Sequence, residues 1–81
     1  MLLVIDVGTS NNVIGLFSEK NLLSHWRIRT EWNRTADEYW VLFKEFIQSN
    51  HVELNEIDDI VIACVVPSLI PVLQEMARKY F

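Results

Sequence analysis

Two short, almost wholly apolar runs, residues 2–7 and 60–66, bracket a segment patterned for an α-helix, and this layout restricts the fold more than any other feature. Runs of six or seven apolar residues are too short to cross a membrane as helices. They lack the alternation of a strand with one wet face, and suit strands buried on both faces. The segment between them opens at Thr35-Ala36-Asp37-Glu38, a capping box in which Thr35 and Glu38 satisfy each other's backbone N–H groups. Tyr39, Leu42, Phe43, Phe46 and Ile47 then fall on one helical face, and Asn50 is a stop signal. Such a helix is long enough to return the chain for a strand parallel to the first.

The rest of the chain supplies two more strands and one more helix. Gly8-Thr9-Ser10-Asn11 reads as a turn, and residues 12–17 as a strand carrying Val13, Ile14, Leu16 and Phe17. Gly15 within it signals a bulge or a close approach. After the polar loop of residues 18–21, residues 22–29 alternate. Leu22, Ser24, Trp26 and Ile28 are expected on one face, with Leu23, His25, Arg27 and Arg29 on the other. Residues 30–34 read as a polar loop, and residues 53–59 hold at most one short helical turn. Pro67-Ser68 ends the second apolar run. Ser68 is expected to cap a last helix that turns Leu69, Leu73, Met76 and Tyr80 inward, with Pro71 in its first turn and Arg78 and Lys79 in its last. The predicted order is β-β-β-α-β-α. It makes an α/β fold with a mixed sheet and helices, a ribonuclease-H-like half-domain, forming one unit over residues 1–81.

Composition narrows the functional classes. Half the residues are hydrophobic, enough for one small core, although a chain of 81 residues buries a modest share of its surface. The net charge of −4 offers no basic stripe for nucleic acid. It does not argue against ATP, because phosphate sites are built locally from N–H groups, side chains and a metal. The single cysteine, Cys64, has no internal disulfide partner and fits a reducing cytoplasm. The apolar start stops at Asp6, too short for a signal-peptide core. A cytoplasmic protein without membrane partners is the expectation.

One cluster carries chemistry: Asp6-Val7-Gly8-Thr9-Ser10-Asn11. A carboxylate interrupts an apolar strand, where an unpaired charge is costly. A tight turn follows, rich in phosphate donors: backbone N–H groups left open by Gly8, the Thr9 and Ser10 hydroxyls and the Asn11 amide. Asp6 is itself an anion, so its task beside phosphate is to hold Mg²⁺, through water. A strand follows the turn, so the cluster is neither a dinucleotide fingerprint nor a P-loop, both of which need a helix there. The plain alternative is an Asp6 that accepts from the turn and a Gly8 that only permits it.

The turn resembles the first phosphate motif of the acetate and sugar kinase, heat-shock ATPase and actin superfamily. Four blocks narrow the resemblance: Leu3-Val4-Ile5-Asp6-Val7-Gly8, Ser24-His25-Trp26-Arg27-Ile28-Arg29-Thr30, Thr35-Ala36-Asp37-Glu38-Tyr39 and Val65-Val66-Pro67. In order and spacing they resemble type III pantothenate kinases along essentially the whole chain. The resemblance implies transfer of the γ-phosphoryl of ATP to the 4′-hydroxyl of pantothenate, the first step of coenzyme A synthesis. It implies Mg²⁺, a monovalent cation (K⁺ or NH₄⁺) and a homodimer. Asp6, Val7, Gly8, Thr9, Ser10 and Asn11 would line the ATP phosphates. The family motif reads Asp-x-Gly-Asn-Thr-Asn. Here Ser10 keeps the threonine's hydroxyl, while Thr9 replaces an asparagine amide. The catalytic base and the remaining ATP motifs are expected beyond Phe81, so the 81 residues alone are expected to be inactive.

Other residues carry weaker signals. His25 and Arg27 share a strand face that could meet an anion, with a solvated face as the default. Arg29 and Arg34 flank the loop before the helix and could touch a phosphate or a partner subunit, with surface charge as the default; His51 reads as an exposed loop residue, and Cys64 as a small hydrophobe. Val66-Pro67-Ser68 follows a strand's carboxyl end, where α/β ligand sites gather. Trp32 and Trp40 lie off the main helix face and are candidates for subunit contacts, or for surfaces left bare by the missing remainder of a longer protein. Besides the kinase, two functions fit: a truncated, non-catalytic binding or regulatory module, and a plain interaction domain.

Overall fold

The first apolar run becomes an inner strand of a four-stranded sheet. The computed structural model describes every residue from Met1 to Phe81. Its elements are β1 (Leu2–Val7), β2 (Asn11–Ser18), β3 (Asn21–Arg29), α1 (Ala36–Gln48), β4 (Asp59–Cys64) and α2 (Ile70–Tyr80), with 3-10 turns at Leu54–Glu56 and Pro67–Leu69. The sheet order is β3-β2-β1-β4. β1 runs antiparallel to β2 and parallel to β4, as expected for a mixed α/β sheet. β3 is therefore parallel to β4, and α1 is the crossover between them.

Both helices lie on one face. Leu3, Ile5 and Val7 of β1 and Ile14 and Leu16 of β2 join Tyr39, Phe43 and Ile47 of α1 and Leu69, Leu73 and Met76 in one buried cluster. Burying a side chain the size of Phe43 contributes roughly 1.5–3 kcal/mol. The expectation that both apolar runs are buried on two faces is corrected. Leu2 and Val4 are half-buried, Val61 is 52% exposed and Val65 66%. The crossover helix and α2 cover the same side, and no element lies over the other.

Three local expectations also change. Leu22 does not share the Trp26 face. A bulge opposite Leu16/Phe17 skips Leu23, so Leu22 pairs with Phe17 and turns to the open side. There Phe17 and Leu22 lie over Gly15, whose added Cβ would stand 3.2 Å from Phe17 Cε2. Trp26, on the helix side, stacks on Phe46 of α1 with ring centroids 5.0 Å apart. Ser68 caps nothing: it lies inside the 3-10 turn that leads into α2, whose N-cap is Leu69. Trp40 is not a bare surface. It stacks on Tyr80 of α2 at 4.6 Å and meets the edge of Phe81, whereas Trp32 is 62% exposed.

The ends of α1 are well determined. Thr35 Oγ1 accepts from Glu38 N–H at 3.2 Å, and Thr35 N–H donates to Glu38 Oε1 at 2.9 Å, forming the expected box. That backbone bond, aided by the Thr35 hydroxyl, holds the Glu38 carboxyl below the usual carboxylate range. At the C-terminus, Ser49 and Asn50 side chains donate to Phe46 O, and His51 adopts φ 60 to leave the helix. Asp37 joins α1 to α2 by accepting from the Tyr80 hydroxyl and from Lys79 Nζ; the Tyr80 bond, then Lys79, lowers the pKa of its carboxyl. Neither helix is long and apolar enough to cross a membrane.

Candidate functional site

The Gly8–Asn11 turn sits where β1 leaves the sheet. Gly8 N–H donates to Asn11 O at 2.9 Å, so Thr9 and Ser10 form a two-residue tip. Gly8 is not in the left-handed region. Its reason is space: an added Cβ would stand 3.1 Å from Asn11 O, tighter than nine in ten real Cβ contacts. Glycine lets the two arms of the turn close.

The tip is left chemically open. The N–H groups of Thr9 and Ser10 have no protein acceptor. The Thr9, Ser10 and Asn11 side chains are exposed and make no hydrogen bonds within the protein. The Val7 side chain is fully buried, so this residue can offer a ligand only its backbone, and its carbonyl already accepts from Val65 N–H at 3.0 Å.

What holds the turn in place comes from the residue that follows β3. Thr30 N–H donates to Ser10 O at 2.9 Å. The Thr30 hydroxyl lies 2.8 Å from Gly8 O and 2.7 Å from Asn12 Oδ1, donating its one proton to either. Asn12 is fully buried, and its Nδ2 reaches the Tyr39 hydroxyl of α1 at 3.4 Å. A line of polar groups thus runs from the turn through Thr30 and Asn12 to the helix. No buried side-chain polar atom lacks a partner. Sequence reasoning missed both braces, placing Thr30 in a loop and Asn12 among ordinary strand residues. The available signal was the period of two: Asn12, Ile14 and Leu16 share the core-facing side, where a lone amide must be partnered.

Asp6 faces the opposite, uncovered side. Its carboxylate is exposed and takes part in no hydrogen bond or ion pair; the two ion pairs are Met1 amine–Asp58 and Lys79–Asp37. Its register neighbours are Val13 on β2 and Ala63 on β4. It lines a shallow depression of about 390 Å³ with Val4, Val13, Gly15, Phe17, Leu22 and His25. Asp6 therefore has open space before it and no internal counter-charge.

The remaining candidates separate. His25, Arg27 and Arg29 lie opposite Gly15, Val13 and Asn11, on the face that carries Asp6. Arg34 turns back, donating from Nη1 to Arg29 O at 3.1 Å and lying over the Tyr39 ring. Of Val66-Pro67-Ser68, Val66 is buried in the core, and none of the three lines a concavity. Cys64 is half-buried, with Sγ 3.2 Å from Val66 O, and His51 is exposed.

Comparison with known proteins gives a consistent picture. The model of the family described as type III pantothenate kinase matches residues 2–81. Proteins named type III pantothenate kinase from Citrifermentans bemidjiense and Exiguobacterium sibiricum are each 43% identical over 81 residues, and one from Syntrophobacter fumaroxidans is 40% identical. The match covers all of this chain and 31–32% of each relative, so the chain spans about a third of their length. With a family match that runs through the turn, its Thr30 brace and both helices, the chain belongs to the type III pantothenate kinase family.

Proposed function

We propose that this chain supplies the first ATP-phosphate-binding element of an enzyme that phosphorylates pantothenate to 4′-phosphopantothenate. One observation carries the reading: Asp6, exposed and unpartnered, stands beside a turn whose Thr9 and Ser10 N–H groups have no acceptor. Polar groups left open by the protein are groups a ligand can satisfy. The tip offers N–H and hydroxyl donors to phosphate oxygens, with Gly8 keeping the approach clear. Thr30 and Asn12 keep those donors in place, which matters because phosphoryl transfer depends on positioning and charge neutralisation.

The donor set fits Mg²⁺ in this role. No group of three His, Cys, Asp or Glu side chains lies together. Mg²⁺ keeps much of its water and asks for one or two carboxylates plus substrate phosphates, which Asp6 beside a bound polyphosphate would satisfy. Bound there, the ion would neutralise charge on the phosphates. The catalytic base, the adenosine contacts, the monovalent cation site and the subunit pairing belong, in this reading, to the rest of a longer enzyme. The chain alone then binds without turning over.

Calorimetric titration with Mg-ATP tests the binding step. Saturable binding that Asp6→Asn weakens about tenfold is expected, the scale of a lost charge-assisted contact. Transfer of labelled phosphoryl to pantothenate by the complete gene product, with Mg²⁺ and K⁺ present, tests the reaction. No product there would overturn the assignment. Thr9, in place of the family motif's asparagine, favours a second reading, a non-catalytic nucleotide-binding relative. If Thr9→Asn alone brought transfer to an otherwise inactive gene product, that second reading would stand.

A further inference from the structure

We propose that Arg29 is a phosphate-positioning residue of the same site, reaching over Asn11 to the outer oxygens of a polyphosphate seated on the turn. The inference rests on the phosphate-binding reading above and adds a cation to it. Asn11 and Arg29 stand directly opposite each other on β2 and β3. Side chains so paired begin about 4.5–5.5 Å apart at Cβ. Both share the open face with Asp6, through the row Asp6–Val13–Arg27 one step along.

The backbone around Arg29 is anchored on both sides. The next residue, Thr30, is tied to Ser10 and Gly8 of the turn, and Arg34 donates to the Arg29 carbonyl. The Arg29 side chain itself is exposed, and no carboxylate pairs with it. A free guanidinium fork is thus fixed in register with an open set of phosphate donors. Arg27 shares the open face with Arg29, while Arg34 packs over the Tyr39 ring. The turn's own donors are neutral and Asp6 is negative. A triphosphate there needs a compensating positive charge besides its metal, and guanidinium binds phosphate oxygens in pairs.

Mg-ATP titration of three variants tests this. Lys20→Gln is the control: it removes the same charge at the opposite end of the β2–β3 hairpin. Arg29→Gln is expected to raise the dissociation constant about tenfold, and Arg29→Lys less. Lys20→Gln should stay within about twofold, as a distant screened charge. Circular dichroism should be unchanged in all three. If Arg29→Gln and Lys20→Gln behave alike while Asp6→Asn still weakens binding, Arg29 has no such role and the phosphate site stands without it. If the unsubstituted complete gene product binds no Mg-ATP, both readings fall.

Discussion

The hydroxyl oxygen of Thr30 lies 2.8 Å from the carbonyl oxygen of Gly8, joining the first residue after β3 to a turn 22 positions earlier. The same oxygen lies 2.7 Å from buried Asn12, so one side chain serves both the turn and the core. Thr30→Val keeps the shape and removes the hydroxyl. It leaves Asn12 short of a partner, and a loss of about 1–3 kcal/mol in urea unfolding is expected. Thr30→Ser, which keeps the hydroxyl, should recover most of it. Equal losses in the two variants would mean that the methyl group, and not the hydrogen bond, matters.

Asp6 contrasts with Thr30. Its carboxylate is exposed and touches no partner, so Asp6→Asn should alter stability by no more than about 0.5 kcal/mol. A large loss of stability would reveal a structural duty for the carboxylate.

The α1 cap makes stability depend on pH with a definite sign. Glu38 is held below its ordinary range by the Thr35 N–H and then the Thr35 hydroxyl. The folded chain therefore binds fewer protons at this site than the unfolded chain. The contribution is complete above the ordinary glutamate pKa of about 4.3 and is lost as pH falls through the lower folded value. Asp37, lowered by Tyr80 and Lys79, acts in the same sense. Urea midpoints measured from neutral pH downward should fall less steeply in Glu38→Gln. At neutral pH, Thr35→Ala should cost about 1 kcal/mol.

Trp26 and Phe46 dock β3 against α1 as stacked rings at 5.0 Å and 10°. A double-mutant cycle with Trp26→Leu and Phe46→Leu should give a coupling of about 0.5–1.5 kcal/mol. A coupling near zero would reduce the stack to plain area burial.

Much of the architecture was legible in local pattern. The Thr35–Glu38 box, the Tyr39, Phe43 and Ile47 face, the β-β-β-α-β-α order and the parallel pairing of β1 with β4 all appear as read. Each rests on contacts between near neighbours or on a period set by backbone geometry. Leu22 escaped because a single bulge reverses every face assignment on one side of it. Ser68 escaped because a 3-10 turn moved the helix start to Ile70. Within the candidate site, Asp6, Gly8 and the polar tip were visible as types of residue. Thr30 was not, since only strand register brings it to the turn, and the bracing role of Asn12 depends on its distant partners Thr30 and Tyr39.

The sequence by itself determined where strands, turns and helices form, because periodicity and capping act over a few residues. It also placed a carboxylate and a run of donors side by side, since they are adjacent in the chain. Only the tertiary structure decided that both helices cover one side of the sheet, that Asp6 therefore faces open space, and that Thr30 and Arg29 stand beside the turn. The physical reason is that these relationships span some twenty residues or more and depend on strand order and register, which local propensity leaves undefined.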